Sequence, residues 1–378
     1  MTFARWTGLS TLLSAALLLT LPHICMAQDN SAGQSWSATD QQTSPTGAFN
    51  PSRTQETHTK SDGRVVDNAS TETMGPDGRY VPYSDTEKES RRINDTTVRN
   101  IERTYGRDVD GRRVLIQERQ EESRTLPGGE QKVTRTISNP DGNGALQVVQ
   151  REIEDSKQPS PGVRVSNTTA LTPDSDGRFS AVVQTQQRET KASDGSVQFQ
   201  RSTQLPDGNG GWTLSEVREG RTRQDGQNVS KEESVLRPNA DGKLSVVERT
   251  VNKQVQSSTG EKRDTTETYS TNVPGEAGDG SLQLVQRATT VQRTTASGAQ
   301  STVRQIEQPQ PGDFSSSLQV TQEAIDIVRP GTNCTTSVTR TVLAPGPDGG
   351  LNQVWVDFGS SDKPPAIAVD SGTPSRKK

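Results

Sequence analysis

Carboxylates are the groups in this chain with the most capacity for chemistry, 47 in all against two histidines and two cysteines. Some recur in tight clusters. Pro173-Asp174-Ser175-Asp176-Gly177 sets two of them two residues apart, as the start of a calcium loop would. A calcium ion wants six to eight oxygen ligands, and the helix-flanked loop adds a Glu at its twelfth position. Here Arg178 follows at once and opposes a cation. Turn formation accounts for these aspartates without a metal. Asn139-Pro140-Asp141-Gly142-Asn143-Gly144 and Asp207-Gly208-Asn209-Gly210-Gly211 resemble phosphate cradles in composition. A phosphate loop leads into a helix, whereas the residues that follow here read as strand.

Nucleophilic catalysis is poorly served. Outside the first 27 residues the chain has one histidine, His58, near Lys60, and one cysteine, Cys334. A lone cysteine cannot staple a fold, so Cys334 reads as a half-buried spare residue or an intermolecular link. A pair of carboxylates could serve as acid and base in glycoside cleavage. Such a site needs a cleft and aromatic platforms, and only Trp36, Trp212 and Trp355 remain. Trp212 and Trp355 each follow a Gly-rich turn at a related repeat position. They read first as apolar anchors on a neighbouring strand, and second as sugar-stacking platforms. No catalytic, cofactor-binding or metal-ligating residue is assigned, and no cofactor is expected.

The elements that carry these residues show a clear period. Asp-Gly recurs at Asp77-Gly78, Asp110-Gly111, Asp141-Gly142, Asp176-Gly177, Asp207-Gly208, Asp241-Gly242, Asp279-Gly280 and Asp348-Gly349. Successive glycines from Gly78 to Gly280 lie 33, 31, 35, 31, 34 and 38 residues apart. The last gap is 69, about two periods, with Pro311-Gly312-Asp313 near its middle. A fixed period of this size marks a repeat architecture. A second turn falls inside each period, as at Leu126-Pro127-Gly128-Gly129, Ser160-Pro161-Gly162 and Ser193-Asp194-Gly195.

Between the turns lie runs rich in Val and Thr. Val197 and Phe199 alternate with Gln198 and Gln200, which is the period of a strand. A phrase after the turn repeats as Leu146-Gln147-Val148-Val149-Gln150-Arg151, Leu244-Ser245-Val246-Val247-Glu248-Arg249 and Leu282-Gln283-Leu284-Val285-Gln286-Arg287. Strict alternation puts its first and third residues on one face and the fourth on the other. Asp-Gly between alternating runs is a hairpin signal, because glycine accepts the positive φ of the turn. Short turns make neighbours antiparallel. The expected unit is strand, turn, strand, turn, about sixteen strands in meander order.

Hydrophobic residues are 27% of the chain and aromatics 4%, too few for a thick core. The expected fold is therefore all-β, a repetitive antiparallel meander forming an elongated thin or single-layer sheet. Arg–Glu and Thr–Thr pairs across strands would hold it on two wet faces.

Arg5, the apolar run Leu9 to Leu21, and Cys25-Met26-Ala27 together read as a secretory signal. The expected divisions are 1–27 signal peptide, 28–55 disordered lead, 56–359 hairpin array and 360–378 disordered tail. Tyr80 to Arg103 is highly charged and the least secure part of the array. Losing Arg5 with the signal takes the net charge from −4 to −5. The charge is mixed rather than polarised, which argues against a nucleic-acid partner. No membrane span is expected after signal cleavage.

The function expected from these features is an exported, periplasmic or extracellular, non-catalytic protein. It would act as a structural, spacer or adhesive component of the cell envelope, with an envelope protein or polysaccharide as partner. The alternative is a secreted polysaccharide-binding module or a carboxylate-dependent glycan-active enzyme. An outer-membrane barrel is a third reading. It is weighed against by Arg151, Arg201 and Arg249 in mid-strand and by the scarcity of aromatics.

Overall fold

The computed structural model describes residues 35–43 (backbone only), 52–61, 63–75, 77–272, 280–295, 297–309, 317–331, 335–346 and 349–361. They form twenty strands. The first ten are β1 (Ser35–Thr43), β2 (Ser52–Ser61), β3 (Arg64–Met74), β4 (Tyr80–Asn94), β5 (Thr97–Arg107), β6 (Arg113–Thr125), β7 (Gln131–Pro140), β8 (Leu146–Ser160), β9 (Val163–Pro173) and β10 (Phe179–Lys191). The others are β11 (Val197–Pro206), β12 (Trp212–Asp225), β13 (Asn228–Pro238), β14 (Leu244–Gln256), β15 (Lys262–Ser270), β16 (Gln283–Thr294), β17 (Gln300–Pro309), β18 (Leu318–Pro330), β19 (Thr336–Pro345) and β20 (Leu351–Ser361).

The meander and its antiparallel sense are as the turn pattern requires. Two differences concern the ends. β1 and the start of β2 lie inside the stretch 28–55 that composition marks as a disordered lead. β1 also pairs with β20, with Thr39 opposite Ser360 and Gln41 opposite Phe358. The ladder of neighbours thus returns to its start as a ring, where sequence suggested an open, elongated sheet. Residues 1–27, where a signal peptide is expected, and the tail beyond Ser361 lie outside the described residues. Tyr80 to Arg103 is occupied by β4 and most of β5. Among the described residues no helix is long and apolar enough to cross a membrane, a statement that does not touch strands.

The device that curves the ring is a repeated β-bulge. In every even strand from β4 to β20 the register slips by one residue shortly after the strand begins. The unpaired residues are Tyr83, Ile116, Val149, Val182, Ser215, Val247, Val285, Thr321 and Val354. A bulge bends its strand and adds right-handed twist, and both are needed to close a sheet. The bulge also corrects the reading of the repeated phrase. Its fourth residue does not simply point the other way; it is the inserted one. Leu146, Val148 and, past Val149, Arg151 therefore share a face.

The turns that begin these strands are pinned by side chains. Asp174 accepts hydrogen bonds from the backbone N–H of Asp176 and Arg178, both at 2.9 Å. Asp141 and Asp207 do the same in their loops, and Asn239 does so beside Asp241-Gly242. Gly177 then adopts φ +76°. The calcium-like spacing of Asp174 and Asp176 is thus explained by backbone capping.

At the same rim, a proline ends many of the incoming strands. Opposite it stands an apolar residue: Pro140 faces Leu146, Pro173 faces Phe179, Pro206 faces Trp212, and Pro238 faces Leu244. Proline fits there because it lacks a ladder donor. Trp212 is half-buried in this position. Trp355 sits past the bulge on the other face, opposite Val342, so the two tryptophans are not equivalent.

The core is as thin as the composition requires. Among the described residues the buried hydrophobic side chains are Val217, Val235, Val342 and Val356. Contacts run almost entirely between ladder partners, with no second layer of strands. Cross-strand pairs take over. Arg103 donates to Glu118 at 2.7 Å and Arg99 to Glu122 at 2.8 Å, while Thr54 and Thr71 meet at 3.1 Å. Each exposed pair contributes only about 0–1 kcal/mol, so stability rests on their number and on the continuous backbone ladder.

Candidate functional site: a polar cleft on one face of the wall

Nine side chains from four successive strands gather around a cleft of about 370 Å³. β8 contributes Glu152 and Glu154, β9 Arg164, Ser166 and Thr168. β10 contributes Thr185, Gln187 and Glu189, and β11 contributes Arg201. The register places all nine on one face of the sheet. Glu154, Thr168 and Thr185 form one row across the strands. Ser156, Ser166, Gln187 and Arg201 form the next, and Arg164 and Glu189 the one beyond. Along β10 to β13 this face is also the less exposed one: Thr185, Gln187 and Glu189 are half-buried while Gln186 and Arg188 are exposed. That lower exposure marks this face as the one turned to the interior of the ring.

The cleft has two electrostatic ends. At the β8 side, Arg135 of β7 donates to Glu121, Glu152 and Glu154 at once. Burial works against the charge of Arg135. The three carboxylates outweigh it and raise its pKa, so the guanidinium stays protonated. One positive charge against three negative ones leaves this end acidic. At the β11 side, Arg201 stands opposite Gln187 on one strand and Arg218 on the other. Gln187 gives its amide to Glu189 at 2.7 Å. Arg218 is taken by Glu216, with Glu233 at 3.4 Å. Hydroxyls of Ser166, Thr168 and Thr185 lie between these ends.

A second hollow, of about 420 Å³, surrounds Gly220. Its lining draws on both faces, Phe199 with Gly220 and also Gln198 with Glu219. It is a dent in the thin wall where a side chain is missing. A Cβ on Gly220 would come within 2.6 Å of the Phe199 ring and also meet the Glu232 carbonyl.

Of the residues weighed from sequence, His58 bonds Asp67 through Nδ1 at 2.6 Å, across β2 and β3. That pair lies far along the ring from the cleft. Cys334 lies outside the described residues. Among the described residues no cluster of three or more His, Cys, Asp and Glu is arranged to hold a metal ion. Arg201 was read only as an obstacle to a lipid-facing wall; the structure puts it in the cleft. Arg135, Glu152, Glu154 and Arg164 were not singled out. Their signal was present as polar residues at every second position, Glu152 with Glu154 and Arg164 with Ser166 and Thr168. Which strands bring them together is not encoded in that spacing.

No protein-family model matches the chain, and no curated protein matches it. Solved structures do resemble it in shape. The siderophore receptor PirA from Pseudomonas aeruginosa overlaps 88% of this chain and 81% of its own, with a TM-score of 0.52 and 8% identity. The copper transporter OprC overlaps 87% of this chain and 80% of its own, with a TM-score of 0.48 and 8% identity. Pseudomonas aeruginosa OpdL overlaps 88% and 98%, with a TM-score of 0.41 and 8% identity. The likeness to PirA is one of fold: an antiparallel meander wound as a barrel. It corrects the functional expectation. The spacer or adhesive array rested on an extended open sheet. A meander whose first and last strands pair has an inside and an outside instead.

Proposed function

We propose that this chain is a transport barrel of the cell envelope, a hollow conduit through which hydrophilic solutes pass unchanged. The observation that carries this reading is the pairing of β1 with β20 around an interior that no second layer of the described residues crosses. Barrels of eight strands fill their interior with side chains, while sixteen to eighteen strands leave an aqueous channel. Twenty strands place this ring in the second regime. The interior face carries Glu, Arg, Gln, Ser and Thr around the cleft, which suits water and polar solutes. The fold shared with the siderophore receptor supports the same class of role. The secretory signal expected at the N-terminus agrees with an envelope location.

Both faces carry charged side chains. Arg99, Arg103, Glu118 and Glu122 share the outer face; Arg135 and Glu152 share the inner one. A lipid-spanning wall of this kind would need an outward apolar band about 25 Å tall. The conduit reading therefore rests on the lumen, and passage of solutes into cells is what its test must show.

The test is uptake. Cells producing the chain should admit a graded series of hydrophilic fluorescent solutes faster than cells lacking it. Thr168→Trp with Thr185→Trp, which narrows the interior face, should slow the largest solutes most. Equal uptake with and without the protein, across the whole size series, would end this reading.

A further inference from the structure

The charges lining the cleft are not matched across its strands. At several places on the ring an arginine stands directly opposite its acid: Arg53 opposite Glu72, Arg99 opposite Glu122, Arg103 opposite Glu118. In each case a hydrogen bond joins them. Arg201 has no such acid across from it: its cross-strand neighbours are Gln187 and Arg218. Like charges directly opposite are destabilising, and Arg218 already has Glu216 and Glu233 as partners. Arg164 faces Glu189, but that carboxylate takes the Gln187 amide instead. Neither Arg164 nor Arg201 has a hydrogen-bonding or ion-pair partner among the described residues. The opposite imbalance sits at the β8 side, where three carboxylates share Arg135.

The two imbalances face one floor. Ser166, Thr168 and Thr185 supply hydroxyls that both donate and accept. The β8 and β11 backbones are three strand spacings apart, about 14 Å. Long side chains reach in from both sides and leave room for a small solute. A volume of about 370 Å³ falls in the range of small-molecule sites. An anion alone would meet Glu152, Glu154 and Glu189. A cation alone would leave the two arginines unmatched. A solute carrying one charge of each sign at opposite ends answers both.

We infer that the cleft is a binding site for extended zwitterionic solutes of the short-peptide class. The terminal carboxylate sits at Arg201 and Arg164, and the terminal ammonium at Glu152 and Glu154. The backbone amides in between lie over the hydroxyl floor. A single α-amino acid holds its two charges too close together to reach both ends. This names a solute for the conduit proposed above and rests on that reading for its physiological sense, although the binding itself does not require passage.

The experiment is a calorimetric titration of the full chain in solution with triglycine, its N-acetyl form and its C-terminal amide. Triglycine should bind, and each blocked form should bind about ten-fold more weakly or worse, the size expected for losing a charged hydrogen bond. Arg201→Gln should weaken triglycine and erase its advantage over the amide, leaving the acetyl comparison intact. Glu152→Gln with Glu154→Gln should do the converse. Circular dichroism reports whether each variant keeps its strands, and the blocked-peptide comparison on the unaltered chain needs no variant. No binding of triglycine, or equal binding of all three peptides, overturns the inference. So does sensitivity to the carboxylate alone, which would mark a plain anion site. Because the measurement is made in solution, its outcome is independent of the uptake assay. A conduit without this selectivity, or a peptide site without passage, would each be seen as such.

Discussion

Asp141 illustrates how a single carboxylate works in this wall. Backbone N–H groups of Ala145 and Asn143 donate to it and hold its pKa below the ordinary carboxylate range. Asp85 and Glu216 are lowered too, by a different balance. Burial pushes each carboxyl up, but Ser70 and Arg107 outweigh it for Asp85, and Arg218 and Arg237 for Glu216. A carboxyl whose folded pKa is depressed favours the folded state above its unfolded pKa. That contribution disappears as pH falls through the folded value. Thermal stability should therefore be level from neutral pH down to about 5 and then fall below about 4. A scan in which stability rises on acidification would contradict the assignment. Gly177 gives a separate test. Its φ of +76° is strained for any residue with a Cβ, so Gly177→Ala should cost about 1–2 kcal/mol in denaturant unfolding. Open space around it rules out a steric contribution. Gly220 is the contrasting case, where φ is ordinary and crowding is the obstacle. Gly220→Val should cost about 1–3 kcal/mol by overpacking against Phe199.

The strand with its bulge is the unit of this architecture. In β8 the extra residue Val149 lets Leu146 and Val148 face Ser138 and Pro140 while Arg151 keeps the same side. Deleting Val149 would restore a straight ladder. Because side chains alternate with a period of two, everything on one side of the deletion would then change face. Either Leu146 would leave Pro140, or Glu152 and Glu154 would leave the interior. Hydrogen exchange across β7 and β8 should rise sharply in this variant. Deleting one residue from the turn outside the ladder, such as Asn143, should disturb the rim alone. Equal protection of the mid-strand amides in the Val149 deletion and the parent would show that the bulge does not set the faces.

At the scale of the molecule, the pairing of the first and last strands decides everything about shape. Each interior strand has two ladder neighbours, and closure gives β1 and β20 theirs, so the sheet has no exposed edge to recruit another chain. Thr39→Cys with Ser360→Cys, in a Cys334→Ser background, tests this directly. These residues are register partners in the ring. Oxidation of the dilute protein should give an internal cross-link between the chain's two ends in high yield. An open ribbon would hold them far apart and give none. Scattering from the same sample should match a hollow cylinder, not a rod.

Much of this was legible along the chain. Asp-Gly turns, Val/Thr alternation and scarce apolar residues determine an antiparallel hairpin meander with a thin core, because each is a local property of turn φ, side-chain period or composition. They hold at Gly177, at Val197 with Phe199, and at Arg103 with Glu118. Ser35 to Thr43 lacks alternation, and composition alone does not show a strand there; its pairing is with β2 and β20, both outside its own stretch. The cleft was also out of reach. Glu152 and Arg201 are 49 positions apart, and only curvature turns their common face inward. That curvature accumulates from nine small slips of register, each invisible as a lone extra Val, Ile, Tyr, Ser or Thr. Closure depends on their sum, a global quantity that only the folded ring expresses.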